Sequence, residues 1–134
     1  MERKIIMLTQ SDLDQFTGDL TRYRLGRNLL FTPGVKYLCE HGGEGEDGTA
    51  WWLLDVVASY QGDKRINSNE DLRYLQFWTL KVDDGKGVVT CDDGNGNVVI
   101  KQKIPYTDFC LPEAKIWVGW NGDNTRTAYL PSEH

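Results

Sequence analysis

Residues 74–104 read YLQFWTLKVDDGKGVVTCDDGNGNVVIKQKI, three β-prone runs divided by Asp83-Asp84-Gly85 and Asp93-Gly94-Asn95-Gly96. The runs are rich in aromatic and β-branched residues, which suit a pleated, half-buried surface. The dividers supply the positive-φ residues that tight hairpins require. Strands are therefore predicted near Tyr74–Val82, Gly87–Asp92 and Asn97–Ile104. Pro105 and Pro112 bracket an irregular crossing, after which Lys115–Trp120 and Thr125–Leu130 read as two more strands around Asn121-Gly122-Asp123-Asn124. Short strands punctuated by turns indicate an antiparallel β-meander of about five strands.

Upstream the hydrophobic period changes. Leu13, Phe16, Leu20 and Tyr23 recur at steps of three, four and three, the spacing of one buried helical face, and Thr9 or Ser11 can cap it. A helix from about Ser11 to Arg24 is predicted, with Ser11 and Asp14 resembling a capping box and Gly26 as its stop. Thr32-Pro33 reads as an N-cap followed by proline at the first helical position, opening a short helix that Gly42 ends. Thr49 caps a third helix through Trp51, Trp52, Leu53, Leu54, Val56, Val57, Ala58 and Tyr60, with Gly62 as its stop. That helix is apolar on nearly every side and should be central, with Asp55 and Ser59 forming its one polar line. The expected architecture is α+β: N-terminal helices packed on one face of the C-terminal antiparallel meander, in one domain over residues 1–134.

The chain has 134 residues, enough to bury roughly two-thirds of its unfolded surface without a staple. Fifteen basic against twenty acidic side chains give a formal charge of −5, which argues against phosphate binding as the main activity and so against a nucleic-acid partner. Three cysteines, Cys39, Cys91 and Cys110, are odd in number and far apart, and are read as reduced thiols in a cytoplasmic protein. No apolar run approaches the ~20 residues of a membrane crossing. The opening, Met1 to Leu8, has too short an apolar stretch for a signal peptide.

Several motifs fail on chemistry. Gly43-Glu44-Gly45-Glu46-Asp47-Gly48 matches a dinucleotide-binding spacing, but three acidic side chains would surround the anion and no βαβ continuation follows. It reads as a solvated acidic loop. Asp93-x-Asn95-x-Asn97 begins like a calcium loop, yet Val98 stands where glycine is needed and Ile104 where glutamate is needed, so the hairpin reading is preferred. The ligand types crowded into Cys39–Asp47 lack the spaced pairs of a zinc site, and no metal or other cofactor is assigned. A nucleophile and base would have to be Cys39 or Cys110 with His41, against the simpler reading of both thiols as small core residues.

Asp55 is the carboxylate of most interest, because on so apolar a helix it needs a cation such as Lys64, Arg65 or Arg73, or a hydrogen-bond donor. Asp55, Tyr60, Arg73 and Trp78 are the ligand-binding candidates, around a cleft between helix and sheet. Trp51, Trp52, Trp78, Trp117 and Trp120 sit at positions that face in different directions, so part of the aromatic supply is expected at the surface or in a cleft.

The ordered blocks Thr32-Pro33-Gly34-Val35-Lys36-Tyr37-Leu38, Trp52-Leu53-Leu54-Asp55, Ala58-Ser59-Tyr60-Gln61, Phe77-Trp78-Thr79-Leu80, Tyr106-Thr107-Asp108-Phe109 and Leu130-Pro131-Ser132-Glu133 span Leu8 to Glu133. In them the chain resembles a family of small bacterial proteins of unknown function, frequent in cyanobacteria and proteobacteria and often carried on plasmids or prophages. The resemblance implies that Glu44–Thr49 is an insertion, and it carries over no activity. The expected function is that of a non-enzymatic binding or regulatory protein, an accessory factor of a mobile element that engages a protein partner through exposed aromatics. The alternative is a small enzyme or small-molecule binder built around Asp55.

Overall fold

The computed structural model describes residues 8–44 and 48–134. Most of the opening segment, residues 1–7, and the middle of the acidic loop, residues 45–47, lie outside them. Strands β1 (Tyr23–Leu25), β2 (Leu29–Phe31), β3 (Leu75–Asp83), β4 (Lys86–Asp92), β5 (Val98–Ile104), β6 (Glu113–Trp120) and β7 (Arg126–Tyr129) form one sheet in the order β1-β2-β7-β6-β3-β4-β5. Every pairing is antiparallel except β2 with β7. The helices are α1 (Gln10–Asp14), α2 (Pro33–His41), α3 (Trp51–Ser59) and α4 (Lys64–Asn67), and a 3-10 turn, Pro131–Glu133, follows β7.

The five expected strands form within two residues of their predicted bounds, because turn chemistry pins them. Asp84 and Gly85 take φ of 50° and 70° in the two-residue loop that pairs Asp83 with Lys86, the left-handed backbone conformation that fits a tight hairpin to the right-handed twist of its strands. Among the described residues the sheet nevertheless has seven strands, and it departs from a meander at two points: β2 pairs in parallel with β7 rather than with β3, and β5 is not followed by its neighbour. The chain leaves edge strand β5, crosses through residues 105–112 and enters β6 on the far side of β3. Thr107 and Cys110 anchor that crossing, their amides donating to the carbonyls of Gly85 and Gly42.

The predicted helix Ser11–Arg24 is corrected to one short helix, a loop and a strand. Thr9 caps α1 through a reciprocal box with Asp12: its hydroxyl accepts from the Asp12 amide at 3.1 Å, and its amide donates to the Asp12 carboxylate at 3.0 Å. Gly18 then takes φ +88°, where a Cβ would lie 3.0 Å from the Glu133 carbonyl, so the helical path ends upstream of it. Leu20, counted on the buried face, is 98% exposed. Tyr23 belongs to β1 and stacks on Phe31 of β2 at 5.5 Å, with Gly26 turning the hairpin between them.

The helices are not all N-terminal to the sheet, since β1 and β2 precede α2 and α4 intervenes before β3. Thr32 caps α2 as expected. Ala50, not Thr49, occupies the cap position of α3, drawn there by its amide donating to the Cys39 carbonyl at 2.6 Å. Asp63 caps α4, which had no hydrophobic period to announce it.

Alternation along the strands gives the sheet two unlike faces. Trp78, Leu80, Val89, Cys91, Ile100, Ala114, Ile116 and Val118 are buried, and they join Val35, Leu38, Leu53, Leu54 and Val57 of the helices in one core. The C-terminal segment locks α2 into this layer. Glu133 accepts from the Thr32 hydroxyl at 2.7 Å and the Leu130 amide at 2.9 Å, placing a carboxylate at the start of α2. Gly34 leaves room for it, as a Cβ there would meet Glu133 Oε1 at 2.5 Å. Glu133→Ala is expected to cost about 1–2 kcal/mol through the lost cap partner, read as a lower midpoint in denaturant with an unchanged slope.

Candidate functional site

The polar line of α3 decides where a site can form. Asp55 is exposed, and it opens into a cleft of about 840 Å³. The β1–β2 turn (Arg27, Asn28), the α3–α4 connection (Gln61, Asn67) and the β6–β7 turn (Trp120, Asp123, Asn124) with Arg126 complete its walls. No ion pair involves Asp55 among the described residues: Arg65 pairs with Asp63 at 2.8 Å and Arg73 lies over the Tyr74 ring at 5.3 Å.

Arg126 is the opposite case, a guanidinium held from several sides. Its Nη1 donates to the carbonyl and side-chain oxygens of Gln61 at 3.1 and 3.2 Å, and its Nη2 donates to Asn67 Oδ1 at 2.9 Å. Nε and Nη2 both reach the Arg73 carbonyl at 3.4 Å. No carboxylate pairs with it among the described residues, and partial burial lowers its pKa from the usual arginine value. The cleft therefore contains a positive charge whose orientation is already set.

A line of amides carries that order into the core. Trp78 Nε1 donates to Gln76 Oε1 at 2.8 Å, and the side chains of Gln76 and Gln61 exchange two hydrogen bonds of 2.9 Å each. Gln76 is fully buried, so these bonds satisfy groups that water does not reach. The β6–β7 turn is fixed similarly. Trp120 Nε1 donates to the Asp123 carbonyl at 2.7 Å, and Asp123 Oδ1 accepts from the Thr125 hydroxyl and amide, which holds the carboxyl below its ordinary pKa. Trp120 is left 47% exposed in the wall of the cleft, with Tyr74 edge-on at 5.2 Å.

Of the four sequence-based candidates, only Asp55 lines this cleft. Trp78 is 1% exposed and lies in the core behind the two glutamines. Tyr60 packs against Trp78 at 5.6 Å and donates its hydroxyl to Gln102 at 2.7 Å. Arg73 is exposed outside the cleft and contributes its carbonyl to Arg126. Sequence reasoning missed Arg126, Gln61 and Asn67. Gln61 and Arg126 are 65 positions apart, and no motif links a residue after one helix to the start of a distant strand.

The cysteine chemistry is quiet. Burial pushes the Cys39 and Cys91 thiols up to about 12, with nearby carboxylates adding to the shift, so neither is a ready thiolate. Cys110 Sγ lies 3.8 Å from the His41 carbonyl, whereas the His41 ring packs on Tyr37 at 4.3 Å, so the thiol faces backbone rather than a base. The Asp93 carboxylate accepts from the amides of Asn95 and Asn97 and from the Asn97 side chain, capping its own turn. Among the described residues no group of three His, Cys, Asp or Glu side chains is placed to hold a metal, and no helix is long and apolar enough to cross a membrane.

No curated protein and no solved structure matches the chain. The model of a family of unknown function, DUF6876, matches residues 7–134, nearly the whole sequence, and the chain belongs to that family.

Proposed function

We propose that the protein is a binding module for a small polar molecule, with the cleft at Asp55 as its site. The observation that carries this reading is an exposed carboxylate on an otherwise apolar helix, opening into a cleft whose guanidinium is already oriented by Gln61 and Asn67. Asp55 suits an amino or hydroxyl donor, and the exposed Trp120 ring suits a flat or aliphatic face of the same molecule. A panel of small amines, polyols and nucleosides, followed by tryptophan fluorescence and thermal shift, tests it. Ligands found with the wild type should bind Asp55→Asn about tenfold or more weakly, since charged hydrogen bonds contribute ~1.5–3 kcal/mol, while the unliganded melting temperature stays within about 2 °C. Equal binding by both proteins would remove Asp55 from the site. Turnover of a bound compound, lost in a folded Asp55→Asn protein, would make the carboxylate an acid or base instead.

A second reading, an accessory factor of a mobile element acting through a protein partner, draws on the half-exposed Tyr74–Trp120 pair at the cleft. Such aromatic pairs anchor interfaces. A partner retained by wild type and Asp55→Asn alike, but lost in Trp120→Ala, would favour it.

A further inference from the structure

The face of the sheet opposite the core has no role in the cleft, and its composition is unlike that of the chain as a whole. Register places its side chains in transverse rows. Tyr129, Trp117, Phe77 and Asp92 form one row across β7, β6, β3 and β4. Lys115, Thr79, Thr90 and Lys101 form the next, from β6 to β5, and Glu113, Lys81, Val88 and Lys103 the third. Neighbouring strands are about 4.8 Å apart and successive rows about 6.8 Å, so the Lys115–Lys101 row lies beside a strand laid along the aromatic one and the Lys81–Lys103 row about 13.6 Å from it.

The aromatic row is continuous. Trp117 meets Phe77 edge-on at 4.9 Å and Tyr129 at 6.2 Å, and His134 stacks on Tyr129 at 5.7 Å. Gly94 closes over Phe77, where a Cβ would come within 2.7 Å of the ring, while Trp117 stays partly exposed and His134 exposed. Lys81, Lys101, Lys103 and Lys115 are all exposed, and only Lys115 takes part in an ion pair among the described residues, with Glu113 at 3.6 Å. With Lys86 the face carries five lysines against Asp83, Asp92 and Glu113, in a chain whose formal charge is −5. The face thus has a local excess of two positive charges.

We infer that this open sheet face is a platform for single-stranded RNA. Planar rings with lysines one row away match bases that stack and phosphates that need neutralising. A second copy of this chain on the same face would bring two lysine-rich surfaces together, which charge opposes. RNA is favoured over DNA because the hydroxyls of Thr79 and Thr90, set between Lys115 and Lys101, and the Asp92 carboxylate at the end of the aromatic row are acceptors for 2′-hydroxyls. The net charge argues against nucleic acid only when averaged over the molecule. The strand contacts a surface, and this surface has the opposite sign.

Fluorescence anisotropy with a labelled mixed-sequence 12-nucleotide RNA, using the full chain, tests the inference. Saturable binding is expected at 50 mM salt, weakening roughly 10- to 20-fold at 200 mM, as about three neutralised phosphates require. The exposed double variant Lys101→Glu/Lys103→Glu should bind at least about tenfold more weakly, and Trp117→Ala about fivefold or more. Asp55→Asn should bind RNA as the wild type does, so failure here is separable from failure of the cleft reading. Absence of saturable binding at 50 mM salt, undiminished binding by the lysine variant, or equal affinity for a single-stranded DNA 12-mer of the same sequence would overturn it. So would an RNA-free dimer, seen by sedimentation, that Trp117→Ala dissociates, because the face would then belong to a second copy.

Discussion

Leu54→Ala is expected to destabilise the protein by about 2–5 kcal/mol, measured by denaturant titration. Leu54 is fully buried in α3, and the same core contains Leu38 and Cys39 of α2 and Trp78 and Ile116 of the sheet. The neighbouring helices and strands restrict collapse around a truncated side chain, so the lost transfer energy is joined by the cost of a cavity. A loss below about 1 kcal/mol would place α3 at the surface and contradict the layered core. Asp55, next in sequence, should behave oppositely, because it is exposed and its replacement by asparagine touches no packing.

Gln76→Leu should cost about 2–4 kcal/mol despite the added apolar character, because it strands partners in a buried site. The Trp78 indole N–H loses its acceptor, and Gln61 loses both bonds of its amide pair. Arg126 is affected next, since Gln61 Oε1 is one of its acceptors and would be held only through the Gln61 amide's remaining bond to the Val57 carbonyl. Adding Trp78→Phe should recover part of the loss by removing the orphaned donor, a coupling that a double-mutant cycle reads directly. Additive losses would mean that the amide line does not act as a unit. Ligand binding in the cleft should weaken modestly in Gln76→Leu even though Gln76 is sealed from it, because the guanidinium loses one of its acceptors while the Gln61 and Arg73 carbonyls and Asn67 still hold it.

Family membership supplies no activity, so the candidate site rests on side-chain placement. Asp55 was legible as a site candidate because a lone carboxylate on an apolar helix must be either answered or exposed, and here it is exposed. Trp78 was misleading for the converse reason. Adjacent strand residues face opposite sides, so one of Phe77 and Trp78 had to be buried, and alternation by itself does not say which side the helices cover. They cover the side of Trp78.

Local chemistry in the sequence determined the α+β class, the last five strands, the positive-φ turns and the caps at Thr32 and, as one of two options, Thr9. Those features depend on the conformational preferences of a few consecutive residues. The tertiary structure alone decided that Tyr23 pairs in a hairpin rather than closing a helical face, because Glu133, more than one hundred residues away, crowds Gly18. It also decided the parallel pairing of β2 with β7 and the place of β6 beside β3, which are choices among edges that no local signal distinguishes. The union of Gln61, Asn67 and Arg126 in one cleft follows from that strand order. Their contacts form only when the whole sheet closes under the helices, and sequence spacing carries no trace of them.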